Sequence, residues 1–180
     1  EEPLQFITTD TFYETEADAT AAINAVYASL STFGAYRANM LIYDEIRSPF
    51  GSMGPDPQGE QGREFDEMNF NSEVPQLMDT WQELYRGINS ANLVLENIPD
   101  ANLNDDFKDT ILSQAHFLRG VMYFDLARLF GDVPIILQST KGDANRDVAN
   151  SPQQEVFDQA EADLKLAAGE GALEGLPETW

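Results

Sequence analysis

Apolar residues recur at helical spacing in four stretches of the chain. In the first, Ile23, Val26, Tyr27, Leu30 and Phe33 share one face. Thr15 is its predicted N-cap, with Asp18 three residues on in a near capping box, and Gly34 is expected to close it in a left-handed turn. The second helix starts near Pro75, runs along Leu77, Trp81, Leu84, Tyr85, Ile88, Ala91 and Leu95, and ends at Pro99. The third starts near Asn104, with Asp105 and Asp106 where the helix dipole favours acids. Phe107, Ile111, Ala115, Leu118, Met122, Leu126 and Leu129 form one of its faces, and Phe117, Val121 and Phe124 form another. A helix apolar on two faces is expected to be covered on both. The fourth is announced by Ser151-Pro152-Gln153-Gln154, with Ser151 as cap, followed by Phe157, Ala160, Leu164 and Ala167 and closed by Gly169.

No stretch alternates convincingly with period two. Val133 to Leu137 is a short apolar run, readable as a strand or an extended connector. The pattern therefore predicts an all-α chain of helix hairpins, with the second and third helices as antiparallel neighbours. Residues 47–72 interrupt it with Gly51, Gly54, Pro55, Pro57, Gly59 and Gly62. That stretch exceeds the roughly 12 to 15 residues beyond which structureless connections are uncommon and usually functional or disordered.

Charge and composition narrow the function classes. Asp and Glu number 32 against 10 Lys and Arg, a net charge of -22. Such a surface repels phosphate backbones and anionic lipid, so neither nucleic acid nor a membrane surface is an expected partner. There is no Cys, which removes thiol catalysis and thiolate metal sites, and the single His116 cannot build a His-rich zinc centre. His116 reads as a hydrogen-bonded residue at the core edge. Asp143-x-Asn145-x-Asp147 has the opening of a calcium loop, but Val148 stands where Gly is required and Gln154 where Glu is. No cofactor is expected, calcium being the one weak candidate. The chain begins at Glu1 rather than Met, and a processed or trimmed start is expected. The Gly-rich tail to Trp180 suggests that the native chain continues.

Two segments carry a family resemblance. Trp81-x-x-Leu84-Tyr85-x-x-Ile88-x-x-Ala91-Asn92 is followed by Ala115-x-Phe117-Leu118-Arg119-x-x-x-Tyr123-Phe124-x-Leu126-x-x-x-Phe130-Gly131-Asp132-Val133-Pro134. Together they resemble the SusD/RagB family of outer-membrane nutrient-binding lipoproteins of Bacteroidetes, with Gly120 in place of the usual Ala. Phe12 to Ala19 with Ala25-Val26-Tyr27, the pair Asp44-Glu45, and Ser151-Pro152 through Asp163-Leu164 resemble further parts of it. The likeness runs over nearly all of residues 1–180, and it implies that they form a single N-terminal helical domain of a longer protein. It implies tetratricopeptide-like hairpins, no catalysis, and surface capture of oligosaccharides or peptides for a partner SusC-like TonB-dependent transporter. It also implies a lipid anchor upstream of the mature start. A tetratricopeptide-like scaffold that binds protein is the alternative reading.

Each candidate site carries a structural and a functional reading. Arg119 could grip an anionic ligand, but on so apolar a helix it is expected to be paired with an acid, Asp44 or Glu45 being better placed than Asp125. Trp81, Tyr85 and Tyr123 could stack on sugars, yet they lie on core stripes. Gly131 and Pro134 are read as the stop and turn after the third helix. The loop is the functional candidate: Arg47, Arg63, Asn69 and Asn71 supply donors and acceptors, and Phe50 and Phe65, with Met53, an apolar platform. A surface for the transporter is the equal alternative for that loop.

Overall fold

The computed structural model describes residues 13–46, 48–52, 63, 65–69, 71–140 and 147–170. Helix α1 spans Glu16–Leu30. A kinked stretch at Phe33–Arg37, where Ala35 leaves the helical conformation, the short α2 at Asn39–Leu41 and a π-helical turn at Ile42–Ile46 follow. Three longer helices come next, α3 at Pro75–Asn97, α4 at Asp105–Phe130 and α5 at Gln153–Ala167. Among the described residues the only β-type pairing is an isolated antiparallel bridge between Val133 and Ser151, so Val133 to Leu137 is a connector and the fold is all-α.

The caps explain the helix starts. Asp18 N–H donates to Thr15 Oγ1 at 3.2 Å and Thr15 N–H to Asp18 Oδ2 at 3.1 Å, a reciprocal box. Asn104 Oδ1 accepts from Phe107 N–H at 3.2 Å and starts α4, which Gly131 ends at φ 74. The start of α5 corrects the reading of Ser151 as its cap. The free N–H of Gln153 donates instead to Asp132 Oδ1 at 2.9 Å, while Ser151 N–H is taken by Val133 O. The Gly-Asp-Val-Pro turn that ends one helix thus caps the next.

The chain forms two compact units, Glu1–Tyr27 with Gly87–Trp180, and Ala28–Arg86. In the larger, Leu118, Met122, Tyr123, Leu126, Val133 and Val156 are buried. Helices α4 and α5 run antiparallel, with His116 against Asp163, Phe124 against Phe157 and Ala127 against Gln153. Gly120 lies at the contact, where a Cβ would sit 3.0 Å from Ala160 O. The second face of α4 differs from expectation: Phe117 is 39% and Phe124 46% exposed. The Leu118–Met122–Leu126 face is fully buried, whereas on the other face Phe124 meets the ring of Phe157 with centroids 5.8 Å apart and still keeps much of its surface open.

In the smaller unit, Gly34 is needed for close approach rather than for a left-handed turn. A Cβ there would lie 3.0 Å from the Asp79 carbonyl oxygen on α3. The half-buried rings of Trp81 and Tyr85 pack on each other with centroids 4.9 Å apart, flanking the buried Leu84. Tyr123, in the other unit, is fully buried.

Candidate functional site

Arg119 is the charge that the sequence sets into apolar surroundings, and its surroundings decide its role. Its Nε and Nη2 donate to both oxygens of Asp163 on α5, at 2.8 and 2.7 Å, and Nη1 donates to Asn92 Oδ1 at 2.8 Å. Asp163 also accepts from His116 Nδ1 at 2.7 Å and Gln159 Nε2 at 3.2 Å. The partner acid is therefore Asp163, not Asp44 or Glu45, both of which are exposed in the smaller unit. Asp163 projects from the buried side of α5 onto Arg119, and four donors satisfy it. Burial alone would raise its carboxyl, but the bonds from His116 and Arg119 hold it below the ordinary carboxylate range. Asp125, also buried on α4, accepts from Arg128 Nη2 at 3.1 Å.

Asn92 joins this knot to the connector after α4. Its Nδ2 donates to Ile136 O at 2.9 Å. Tyr123 OH donates to the same oxygen at 2.8 Å and accepts from Ile136 N–H at 2.7 Å. Burial pushes the Tyr123 hydroxyl up to about 12. Farther on, Glu96 takes Ser139 N–H at 2.6 Å and Asn89 takes Thr140 N–H at 2.8 Å. Beyond the bridge at Val133, side chains of α3 and α4 satisfy backbone groups of Ile136, Ser139 and Thr140. Pro134 lies half-buried at the start of the connector. These polar residues are engaged in holding the fold.

The loop of the smaller unit is built differently. Its base rests on Thr80 of α3, whose hydroxyl donates to Gly34 O at 2.6 Å and so can accept from Tyr43 OH at 3.0 Å and Asn39 Nδ2 at 3.2 Å. Phe65 packs edge-on against Tyr43, centroids 5.2 Å apart, and is 1% exposed. This corrects its reading as a ligand platform: the ring anchors the loop to the core.

The first arm makes a tight turn. Ser48 Oγ donates to Glu45 O at 2.7 Å and accepts from the N–H groups of Phe50 and Gly51 at 3.3 and 3.2 Å. Gly51 comes so near that a Cβ would sit 2.0 Å from Glu45 O. The turn leaves Phe50 99% exposed. Ser52 Oγ donates to Asp66 Oδ2 at 3.3 Å and clips the two arms together. On the second arm Arg63 is half-buried, Asn69 exposed, and Asn71 Oδ1 accepts from Glu73 N–H at 2.8 Å in the turn before α3. Arg47, Met53, Asp143 and Asn145 lie outside the described residues, and Asp147 is exposed. Among the described residues no group of His, Cys, Asp and Glu could hold a metal ion, and no helix is long and apolar enough to cross a membrane.

Of the predicted site residues, the loop brings together Phe50 and the arm bearing Arg63 and Asn69, and it removes Phe65. Sequence reasoning missed Asp163, Asn92 and Asp132 as partners, and Ser48 and Gly51 as the frame of Phe50. The Ser-Pro-Phe-Gly run was the available signal for that turn.

Helix hairpins whose buried charges are engaged in packing make a fold of the tetratricopeptide-like kind. The chain belongs to the SusD-like family: a family model described as starch-binding, associating with outer membrane, matches residues 8–171. A SusD-like protein of Formosa agariphila, designated P2, is 30% identical over 99% of this chain and 35% of its own length. A SusD-like carbohydrate binding protein from Bacteroides vulgatus is 25% identical, with a TM-score of 0.71 over 93% of this chain and 37% of its own. A laminarin binding SusD-like protein shares the fold at a TM-score of 0.77 and 24% identity, over 87% of this chain and 34% of its own. The chain spans about a third of the length of the curated relatives it matches.

Proposed function

We propose that this protein captures neutral oligosaccharides or polysaccharides at the outer membrane, binding without turnover, and delivers them to a SusC-like TonB-dependent transporter from a lipid-anchored position at the cell surface. One observation carries the ligand site: Phe50 is held fully out of the protein by a turn that needs Gly51 against Glu45 O. An exposed large aromatic on a rigid frame costs apolar hydration in the free state, and the apolar C–H face of a pyranose is a fitting cover. Arg47, Arg63, Asn69 and Asn71 supply hydroxyl-binding groups from the same stretch. The family description and the likeness to a carbohydrate binding protein support the ligand class. A net charge of -22 disfavours strongly anionic glycans.

Calorimetric titration with soluble starch, laminarin and sulfated and peptide controls tests this. Binding to a neutral glycan is expected, weakened about tenfold in Phe50→Ala, which corresponds to about 1.4 kcal/mol. Absence of binding to every glycan, or binding to peptide alone, refutes it.

A further inference from the structure

Met68 is the only residue other than Gly, among those described, that sits at positive φ, at 54°. That left-handed region crowds an L side chain and is taken readily only by Gly, and by Asn or Asp less often. Asn69, a residue type suited to the position, stands one place later, so the chain holds the poorer residue at the strained site. The surroundings enforce the conformation. Met68 N–H donates to Phe65 O at 3.2 Å and Glu67 N–H to Arg63 O at 2.8 Å. Phe65 is locked under Tyr43, and Asp66 is clipped to Ser52.

Burial does not offset the strain, because Met68 is 60% exposed. Strain maintained by its surroundings, with the side chain held outward, is characteristic of ligand-contacting positions. Met68 and Phe50 also stand two residues from the Ser52–Asp66 clip on opposite arms. Each is thus within about 7 Å of the clip along the backbone, so one oligosaccharide can reach both.

We infer that Met68 is a ligand-contacting, specificity-determining residue that grips the apolar face of a neutral glycan together with Phe50. This rests on the glycan-binding reading above. The two residues divide the work by shape. Phe50 offers a flat ring to a planar sugar face, and the unbranched, polarizable thioether of Met68 follows the uneven surface of the adjoining residue.

The experiment titrates wild type, Phe50→Ala, Met68→Gly and Met68→Leu with the neutral glycan that wild type binds best among soluble starch and laminarin, and records the melting temperature of each. Met68→Gly removes the strain and the thioether together. It is expected to melt no lower than wild type and to bind about fivefold more weakly. Met68→Leu keeps an apolar side chain and is expected to retain binding within about twofold. If wild type binds and Phe50→Ala weakens binding while Met68→Gly binds like wild type, the role of Met68 is overturned and the glycan site stands. A lowered melting temperature in Met68→Gly makes Met68 a structural residue and also overturns it. If wild type binds neither glycan, the glycan-binding reading fails and takes this inference with it.

Discussion

Arg119 and Asp163 face each other across the antiparallel α4–α5 pair, joined by two hydrogen bonds of 2.7 and 2.8 Å with both side chains buried. Removing one partner of such a pair leaves an uncompensated charge in the interior. Arg119→Ala is expected to destabilise the protein by about 3–5 kcal/mol. The double variant Arg119→Met, Asp163→Leu, which removes both charges of the pair, is expected to recover much of that loss. Urea unfolding monitored by circular dichroism checks both. An unchanged midpoint in Arg119→Ala removes the pair from the account of stability.

The same pair sets an acid dependence. The folded-state pKa of Asp163 is depressed, so its contribution is present above the ordinary Asp value of about 3.9 and is lost as pH falls through the lower folded value. With 32 acids in the chain, wild type alone cannot reveal this, but a comparison can. Asp163→Asn should be much less stable than wild type at pH 6, and the gap should narrow below about pH 4. Denaturation midpoints of the two proteins across that range check it, and a constant gap counts against it.

The helices were legible because their signals are local. Thr15 and Asp18, Asn104 and Gly131 each act within a few residues of their own position, and each does what its residue type allows. The partner of Arg119 was not legible. Asp163 stands 44 residues away on a helix whose apolar stripe says only which side is inward. Phe65 was misread for a related reason. An aromatic in a Gly- and Pro-rich stretch looks displayed, but the loop needs one apolar anchor, and which ring serves is decided by Tyr43 rather than by the loop's composition. Phe50, in equally loop-like surroundings, is the ring left outside.

Tyr123 ties the connector to α4 through both backbone groups of Ile136. In Tyr123→Phe, Ile136 O keeps Asn92 but Ile136 N–H loses its acceptor. The expected cost is about 1–3 kcal/mol, with faster hydrogen exchange at the Ile136 amide as the local signature. At high pH the sign follows from the raised folded value of about 12 against the usual 10. The stabilisation is intact below pH 10 and lost as pH rises through about 12. Tyr123→Phe should therefore lose less stability than wild type between those values.

Asp132 rather than Ser151 caps α5, and paired variants separate the two. Asp132→Ala should cost about 1 kcal/mol through the unsatisfied Gln153 N–H at the start of the helix. Ser151→Ala, which leaves the backbone bridge to Val133 intact, should change the unfolding midpoint little. Equal costs would restore the serine to the role its sequence position suggests.

The turn that displays Phe50 can be broken without touching the ring. In Gly51→Ala the new Cβ would lie 2.0 Å from Glu45 O, a backbone atom that cannot swing aside, so the turn must open and Phe50 must leave its place. If Phe50 binds glycan because the turn holds it out, Gly51→Ala should weaken binding about as much as Phe50→Ala. The double variant should then be no weaker than either, since both changes remove one interaction. Melting temperature should fall in Gly51→Ala and stay near wild type in Phe50→Ala, whose ring makes little contact with the protein at 99% exposure. Calorimetry with a neutral glucan beside thermal denaturation reads both quantities. Additive losses in the double variant would mean that Gly51 acts on binding through something other than Phe50.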